Sequence, residues 1–532
     1  MASKVFSKSF LSFYRFLRRR LGNRRSNTTA SHANLQKWPP SLDQLSSQTV
    51  VLDVEGGLLR SSSTFPYFML VALEAGGFLR GLLLLLLYPL LCCLSQELAL
   101  KVMVMVCFIG IKESNFRLGR AVLPKFFLED VGLEGYQVLK RGGRKVCLSG
   151  LPRIMVEGFL KEYLGVEVVV GRELKVVSGY YSGFLEEKME VEESLELKAM
   201  VGEDEKKELG GGVVGFGSCS KSSQHHLFSL CQEVHLVSES EKSNWQVLPR
   251  EEYRKALVFH DGRLAFRPTP LATLGMFIWL PFGLTLTIFR SVVFLLLPYR
   301  ISIPIVTFTG LKNRLIFPSN STTGPSTTYG QSNRSHSHLY VCNHRTLLDP
   351  IYISAALNKH VTAVTYSVSR ISEVLSPIRT VRLTRNKEED RRRMEKLLRQ
   401  GDLVVCPEGT TCREPYLLRF SPLFAELTDE IIPVALVTRV NMFYGTSTSG
   451  LKFLDPFYFL MNPCPQYDVQ FLEKIPTSSI NGKSCSNYEV ANHVQSEIGR
   501  ALGFEPTTLT RKDKYLMLAG NEGVVKTKSK RH

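Results

Sequence analysis

The sequence predicts an α/β protein with two α/β domains, and three observations support that prediction. The 532 residues leave room for two or three domains. Short apolar runs at 49–53, 339–342 and 403–406 each end in polar residues, as buried strands do where they carry functional groups. Hydrophobic stretches at 82–94 and 271–297 add helices that contact a core or a membrane. For the catalytic domain we expect a largely parallel sheet with helices on its faces.

Composition and motifs divide the chain into five segments. We predict a basic arm or targeting segment at 1–47, a first α/β domain at 48–265 with a hydrophobic insert at 78–111, a membrane-associated helical segment at 266–300, a second α/β domain at 301–522 and a basic tail at 523–532. A Glu/Lys-rich insert at 184–208 and a Ser/Thr/Asn/Gly-rich linker at 317–338 are expected to be exposed.

Net charge and cysteine content limit the classes of partner. The formal charge of +17 favours an anionic surface or substrate, such as phospholipid headgroups or a phosphorylated small molecule. The sequence has neither zinc-finger spacing nor an RNP-like strand, so we predict no nucleic-acid partner. Its eleven cysteines form no Cys-x-x-Cys pair, which favours free thiols in a reducing compartment.

Three segments leave alternatives open. Residues 1–42 contain no acidic residue and are rich in Arg and Ser, which fits a mitochondrial presequence or an uncleaved arm on an anionic membrane. The apolar run at 82–94 is shorter than the roughly 20 residues of a spanning helix. The run at 271–297 is long enough but contains Pro281 and Arg290. Buried core helices, a helix pair kinked at Pro281 within one leaflet, and a full span all fit.

The turn after the strand at 339–342 carries the first candidate catalytic residues, His344 and Asp349. A neutral imidazole can take a proton from a hydroxyl near pH 7 while a carboxylate fixes its tautomer. Because five residues rotate an ideal helix by about 140°, the two side chains can meet only across a turn, which Asn343 and Pro350 favour. No Gly-x-Ser-x-Gly motif lies nearby, so the substrate's own hydroxyl would be activated. A structural histidine beside a helix-capping aspartate is the alternative.

A second polar block follows the strand at 403–406. Gly409 permits close backbone approach, the Thr410 hydroxyl can donate a hydrogen bond, and Arg413 could bind a phosphate bidentately. Between the two blocks, Arg385 ends an arginine-rich apolar run. A single arginine is usually a solvated surface charge, but several converging basic positions would suit an anionic substrate.

These blocks resemble those of a known family, the glycerolipid acyltransferases. Four blocks stand in that family's order: Asn343-His344 to Asp349, then Arg385, then 407–413, then 431–434. Flanking runs at 259–270, 509–515 and 519–521 are similar to the land-plant glycerol-3-phosphate acyltransferases of the sn-2 type. Those enzymes fuse a phosphatase-like domain to the acyltransferase, and the resemblance covers residues 48–522.

The first domain resembles the haloacid-dehalogenase-like phosphatases. In that family an aspartate nucleophile, a second acid and a phosphate-holding Ser or Thr match Asp53, Glu55 and Ser149, where Glu55 is one methylene longer than the usual Asp. The family's later metal-binding acids have no counterpart, because 209–232 contains no acidic residue, and magnesium needs carboxylate oxygens. We therefore expect the fold to be kept and the hydrolase activity to be lost.

The resemblance implies acyl-CoA-dependent acylation of glycerol-3-phosphate at sn-2, giving lysophosphatidic acid for glycerolipids or for lipid polyesters of the cutin or suberin type. It implies the catalytic residues His344 and Asp349 and the substrate-binding residues Arg385, Glu408, Gly409, Thr410 and Arg413. We expect glycerol-3-phosphate, acyl-CoA and membrane lipids as partners, and no cofactor or metal. A lysophospholipid acceptor, an active phosphatase giving 2-monoacylglycerol, and a non-catalytic scaffold are the alternatives. We expect a multi-pass or monotopic protein of the endoplasmic reticulum, with the mitochondrion as the alternative.

Overall fold

The computed structural model describes residues 34–37, 42–186, 212–218, 228, 231–318, 337–366, 372–373, 376–448, 450–480 and 483–522. Most of the predicted arm at 1–47, most of the 184–208 insert, most of the 317–338 linker and the basic tail lie outside these residues, but 34–37 of the arm form a strand of the first unit. The chain forms two compact units, one of Met1–Gly119 with Phe126–Lys255 and one of Arg120–Lys125 with Ala256–His532.

The first unit is built on a six-stranded parallel sheet in the order β1-β8-β7-β2-β3-β4. Its strands are β1 (Asn34–Lys37), β2 (Thr49–Asp53), β3 (Arg144–Pro152), β4 (Val168–Arg172), β7 (Val213–Ser218) and β8 (Glu233–Val237), and β5 (Leu174–Val177) pairs separately with β6 (Tyr180–Leu185). The apolar run of β2 is buried because neighbouring strands and both sheet faces enclose it. A π-helical turn, Val54–Leu58, follows β2 and carries Glu55.

The described residues form the following α-helices, in chain order. They are α1 (Phe65–Gly76), α2 (Phe78–Cys93), α3 (Gln96–Phe108), α4 (Leu118–Ala121), α5 (Leu123–Leu128), α6 (Leu133–Arg141), α7 (Arg153–Tyr163), α8 (Glu239–Ser243), α9 (Pro270–Leu296), α10 (Tyr299–Phe308), α11 (Asp349–Leu357), α12 (Lys387–Leu398), α13 (Asp455–Leu460), α14 (Asn487–Leu502) and α15 (Arg511–Ala519). The predicted insert at 78–111 thus forms two helices, α2 and α3.

The second unit is built on a mixed sheet in the order β12-β11-β13-β10-β15-β16-β9, with β17 also paired to β15. Its strands are β9 (Lys312–Ile316), β10 (Leu339–Cys342), β11 (Thr362–Thr365), β12 (Arg379–Arg382), β13 (Leu403–Val405), β15 (Glu430–Arg439), β16 (Gln466–Phe471) and β17 (Ile475–Pro476). Two small sheets pair β14 (Tyr416–Leu417) with β20 (Glu505–Pro506) and β18 (Ser479–Ile480) with β19 (Lys483–Ser484). From β12 to β15 all neighbours are parallel, so the predicted α/β folds are confirmed.

Both faces of this sheet are covered, which explains why its strands are continuously apolar. Alternate residues of β10 enter two different cores: Tyr340 packs on one face and Val341 on the other. Because β10 and β13 are parallel neighbours, the polar residues that follow them emerge at the same edge of the sheet.

Helix α9 is, among the described residues, the helix that is long and apolar enough to cross a membrane by length and composition. The Thr269 side chain caps its first turn by accepting from the Ala272 amide. The Arg290 guanidinium is fully buried and donates to the carbonyl oxygens of Leu460 and Asn462, at 2.6 and 2.7 Å. This arginine therefore anchors one face of α9 on the second unit. The opposite face is apolar and exposed: Leu271, Ile278, Phe282, Ile288 and Leu296.

Candidate active site

His344 and Asp349 meet across the turn between β10 and α11. Helix α11 begins at Asp349 with Pro350 in its first turn, and the His344 Nδ1 atom lies 2.7 Å from Asp349 Oδ2. The Asn343 side chain fixes the turn on β15, because it donates to the Leu436 carbonyl at 3.0 Å and accepts from the Leu436 amide at 2.8 Å. The contact expected from the turn residues is therefore present.

The Asp349 carboxylate is fully buried and saturated with donors. Oδ2 also accepts from the Arg345 amide at 2.6 Å, while Oδ1 accepts from the Thr346 amide at 2.9 Å and from the Tyr467 hydroxyl. Because a carboxylate only accepts, His344 Nδ1 carries the proton in this contact and Nε2 is left as an acceptor. Asp349 thus holds the turn and orients the imidazole, and it does not cap α11, whose N-cap is Leu348 without a side-chain hydrogen bond.

Glu408 holds the His344 loop from the other side. Its Oε1 accepts from the His344 amide at 2.7 Å and its Oε2 accepts from the Leu418 amide at 2.9 Å. Burial raises the pKa of Glu408 to about 7. With both oxygens bound to backbone amides, this carboxylate positions His344, and it lies outside the cavity lining where an acceptor site was expected.

Gly409 and Thr410 line one cavity together with His344, as the predicted block requires. Gly409 has a φ of 65°, a left-handed conformation that glycine adopts without strain. The loop ends at Cys412, whose amide donates to the His344 carbonyl at 2.9 Å. The two sequence blocks therefore form one site at the edge of the sheet.

The two predicted arginines lie outside the described residues that line this cavity. The Arg413 guanidinium, expected to bind phosphate, is buried outside the cavity lining: it donates to Thr446 Oγ1 at 2.8 Å and to the Gly262 carbonyl at 2.9 Å, and it stacks on the Tyr444 ring. Arg385 is exposed, and its amide donates to Asp390. The tertiary partners of Arg413 are distant in sequence, so its burial could not be predicted locally.

Three other basic side chains line the same cavity: Lys452, Arg511 and Lys514. Sequence reasoning missed them as site residues. The run at 509–515 was noted only for its family resemblance, although its alternating basic residues were the signal that could have identified two of the three.

Cys406 is a further cavity residue that sequence reasoning missed. Its Sγ lies 3.4 Å from Cys342 Sγ. The Cys342 thiol and the His344 imidazole lower the pKa of Cys406 to about 6. Burial alone would lower the pKa of His344, but the nearby Cys406 and Asp349 outweigh it and raise that pKa. Ligand atoms of His344, Asp349 and Cys406 lie within 4.8 Å of one another, close enough for a metal ion, but the Asp349 oxygens already have several donors.

The phosphatase-like residues Glu55 and Ser149 of the first unit are hydrogen-bonded to each other. The Ser149 hydroxyl donates to Glu55 Oε1 at 2.5 Å and the Gly150 amide donates to Oε2 at 3.1 Å. The fully buried Lys242 ammonium, which sequence reasoning missed, donates to the Glu55 carbonyl at 2.7 Å. Asp53 is also buried, at the end of β2. Ser149, which the resemblance implied as a phosphate ligand, therefore binds the Glu55 carboxylate here.

Fold and site together define a class: an acyltransferase domain fused to a haloacid-dehalogenase-like domain. Two family models match accordingly, one described as "Glycerol-3-phosphate acyltransferase RAM2-like, HAD-like domain" over residues 49–237 and one described as "Acyltransferase" over residues 326–437.

Curated relatives identify the particular family. The chain is 52% identical over 536 residues to "Probable glycerol-3-phosphate acyltransferase 3" of Arabidopsis thaliana, covering 98% of each chain. It is 42% identical over 485 residues to "Glycerol-3-phosphate acyltransferase RAM2" of Petunia hybrida, covering 89% of this chain and 98% of that one. The solved acyltransferase PlsC of Thermotoga maritima matches at 14% identity with a TM-score of 0.27, over 44% of this chain and 95% of that one. The chain belongs to the plant glycerol-3-phosphate acyltransferase family.

Proposed function

We propose that this protein transfers an acyl group from acyl-CoA to a hydroxyl of glycerol-3-phosphate and releases lysophosphatidic acid. The observation that carries the proposal is the 2.7 Å contact between His344 and the saturated carboxylate of Asp349, at a cavity that also holds basic side chains. The relatives' names support glycerol-3-phosphate as the acceptor. The sn-2 position, the acyl-CoA donor and a role in lipid polyester formation rest on the family resemblance.

The proposed mechanism is direct acyl transfer. In its neutral form, His344 takes the proton of the acceptor hydroxyl on Nε2, and the oxygen attacks the thioester carbonyl carbon. The new C–O bond forms as the C–S bond breaks, and the imidazolium returns its proton to the leaving CoA thiolate. Asp349 stabilises the imidazolium and keeps the ring oriented. Glu408 holds the backbone of the same loop, so the base is fixed from two sides.

The product is expected to keep its phosphate, because the Glu55 carboxylate fills the cradle of Ser149 and Gly150 in the first unit. Incubating purified protein with glycerol-3-phosphate and a panel of acyl-CoAs should give sn-2 lysophosphatidic acid by mass spectrometry, with inorganic phosphate at background. Phosphate release equal to acyl turnover would show an active phosphatase instead. Preferential use of an added lysophospholipid would favour the alternative acceptor.

We also propose that α9 attaches the protein to one leaflet of a membrane, with its exposed apolar face in the lipid and its Arg290 face on the second unit. The double variant Phe282→Ser and Ile288→Ser should reduce co-flotation with anionic liposomes several-fold, because both side chains lie on that exposed face. The matched control is Tyr488→Ser, an exposed apolar residue on α14. Equal flotation of all three proteins would argue against this attachment.

A further inference from the structure

The cavity beside His344 carries an excess of positive charge. Lys452, Arg511 and Lys514 line it, and Asp455 is the carboxylate among the described lining residues. Asp455 is neutralised by Arg263, whose guanidinium lies 2.7 Å away. An anion that entered this cavity would therefore meet three cations and, among the described lining residues, a single carboxylate that is already paired.

Lys514 is a buried cation placed close to the catalytic loop. It is 6% exposed, and its Nζ lies 2.5 Å from the Thr411 carbonyl and 3.4 Å from Thr410 Oγ1. Among the described residues its hydrogen-bond acceptors are neutral oxygens of Thr410 and Thr411, and burial lowers its pKa. A buried ammonium bound only to neutral oxygens is stabilised when an anion reaches it.

Tyr515 holds the other two cations beside Lys514. The Lys452 ammonium donates to the Tyr515 hydroxyl and lies 4.8 Å from the centre of its ring, while the Arg511 guanidinium lies 4.9 Å from the same ring. These cation–π contacts fix two flexible side chains at the cavity wall. Arg511 and Lys514 are three residues apart on α15, so they share one helix face.

We propose that Lys452, Arg511 and Lys514, together with the Thr410 hydroxyl, form the seat for the phosphate of glycerol phosphate. A phosphate monoester carries about two negative charges and three acceptor oxygens near neutral pH, which matches a guanidinium fork, two ammonium groups and a hydroxyl. The link from Lys514 through Thr411 to Cys412, whose amide binds the His344 carbonyl, places this seat one short loop from the proposed base. The inference rests on the proposed function and replaces Arg413 as its phosphate ligand.

The test compares Arg511→Ala with Lys512→Ala in the full-length protein. Lys512 is the adjacent residue on α15, but it pairs with Glu522 at 2.8 Å and does not line the cavity, so its removal changes the charge equally without touching the seat. Arg511→Ala should raise KM for glycerol-3-phosphate about 10- to 100-fold, as loss of a charge-assisted hydrogen bond does. The kcat value and KM for acyl-CoA should stay near wild type, and Lys512→Ala should match wild type in all three.

CoA also carries phosphate groups, so these cations could bind the phosphate of the donor instead of that of the acceptor. Comparing KM for acyl-CoA with KM for glycerol-3-phosphate distinguishes the two. A rise in KM for acyl-CoA alone would overturn the assignment to the acceptor, as would unchanged constants in both arms. If circular dichroism shows that Arg511→Ala does not fold, Lys452→Gln tests the same proposal from a different segment. It should also raise KM for glycerol-3-phosphate and leave KM for acyl-CoA near wild type. Failure of the wild-type protein to acylate glycerol-3-phosphate would refute the proposed function itself, whereas an active wild type with unaltered variants would refute the seat alone.

Discussion

Replacing His344 with alanine is expected to lower kcat/KM for acyl transfer by about 10²- to 10⁴-fold, the usual contribution of a positioned general base. The fold should survive the change. Asp349 keeps its hydrogen bonds from the Arg345 and Thr346 amides and from Tyr467, so the substitution leaves no buried charge without partners. Initial rates with glycerol-3-phosphate and acyl-CoA measure the loss, and thermal unfolding measures the stability.

The matched control is His338→Ala. His338 lies just before β10, its ring faces Asp402 with Nδ1 at 3.6 Å from Oδ1, and it does not line the cavity. Its removal should leave kcat/KM within a few-fold of wild type, because the base is untouched. A His344→Ala enzyme with full activity would end the general-base mechanism, and comparable losses in both variants would point to a structural effect on the sheet edge.

The local part of the site could be predicted from the sequence because it lies within one turn. Asn343 ends the strand and Pro350 restricts the first turn of the helix, so His344 and Asp349 can meet only across the short turn between them. The buried parallel strands were predictable for a similar reason, since a strand covered on both faces must be apolar along its whole length.

The direction of the basic side chains could not be predicted, because it depends on partners far away in the chain. Arg413 and Lys514 lie on the two segments that enclose the same loop, yet Arg413 turns to Thr446 and Gly262 while Lys514 faces the cavity. Local sequence gives both the same charge and similar surroundings. Only the packing of α15 against the loop distinguishes the residue that faces the cavity from the one that holds the fold.

At Glu55 the sequence shows a side chain one methylene longer than the expected aspartate, and the structure shows what that extra length does. The longer side chain reaches the Ser149 hydroxyl and the Gly150 amide at 2.5 and 3.1 Å. The sequence indicated the loss of a catalytic aspartate. It could not show that the replacement occupies the anion cradle, since that needs the distance between β2 and β3.

Glu408→Gln is expected to lower kcat at least tenfold and to reduce the free energy of unfolding by about 1–3 kcal/mol, the penalty of leaving a buried donor without an acceptor. Both Glu408 oxygens accept from backbone amides, those of His344 and Leu418. A glutamine keeps one acceptor oxygen but turns its NH₂ group toward the other amide, so two donors face each other. The backbone of His344 can then lose a hydrogen bond that fixes the position of its imidazole. Steady-state kinetics and chemical denaturation measure the two effects. The control is Glu430→Gln, which changes an exposed carboxylate paired with Lys474 at 3.0 Å.

The pH dependence of stability gives Glu408 a second signature. Burial raises its pKa from 4.5 to about 7, so between these values the folded protein binds more protons than the unfolded chain. Stability contributed by this group is therefore present below pH 4.5 and is lost as the pH rises through 7. Glutamine does not titrate, so the variant should lack this decline while the Glu430→Gln control keeps it. If Glu408→Gln retains wild-type kcat, Glu408 has no positioning role, and if it retains the wild-type slope, the titration of Glu408 does not cause the decline.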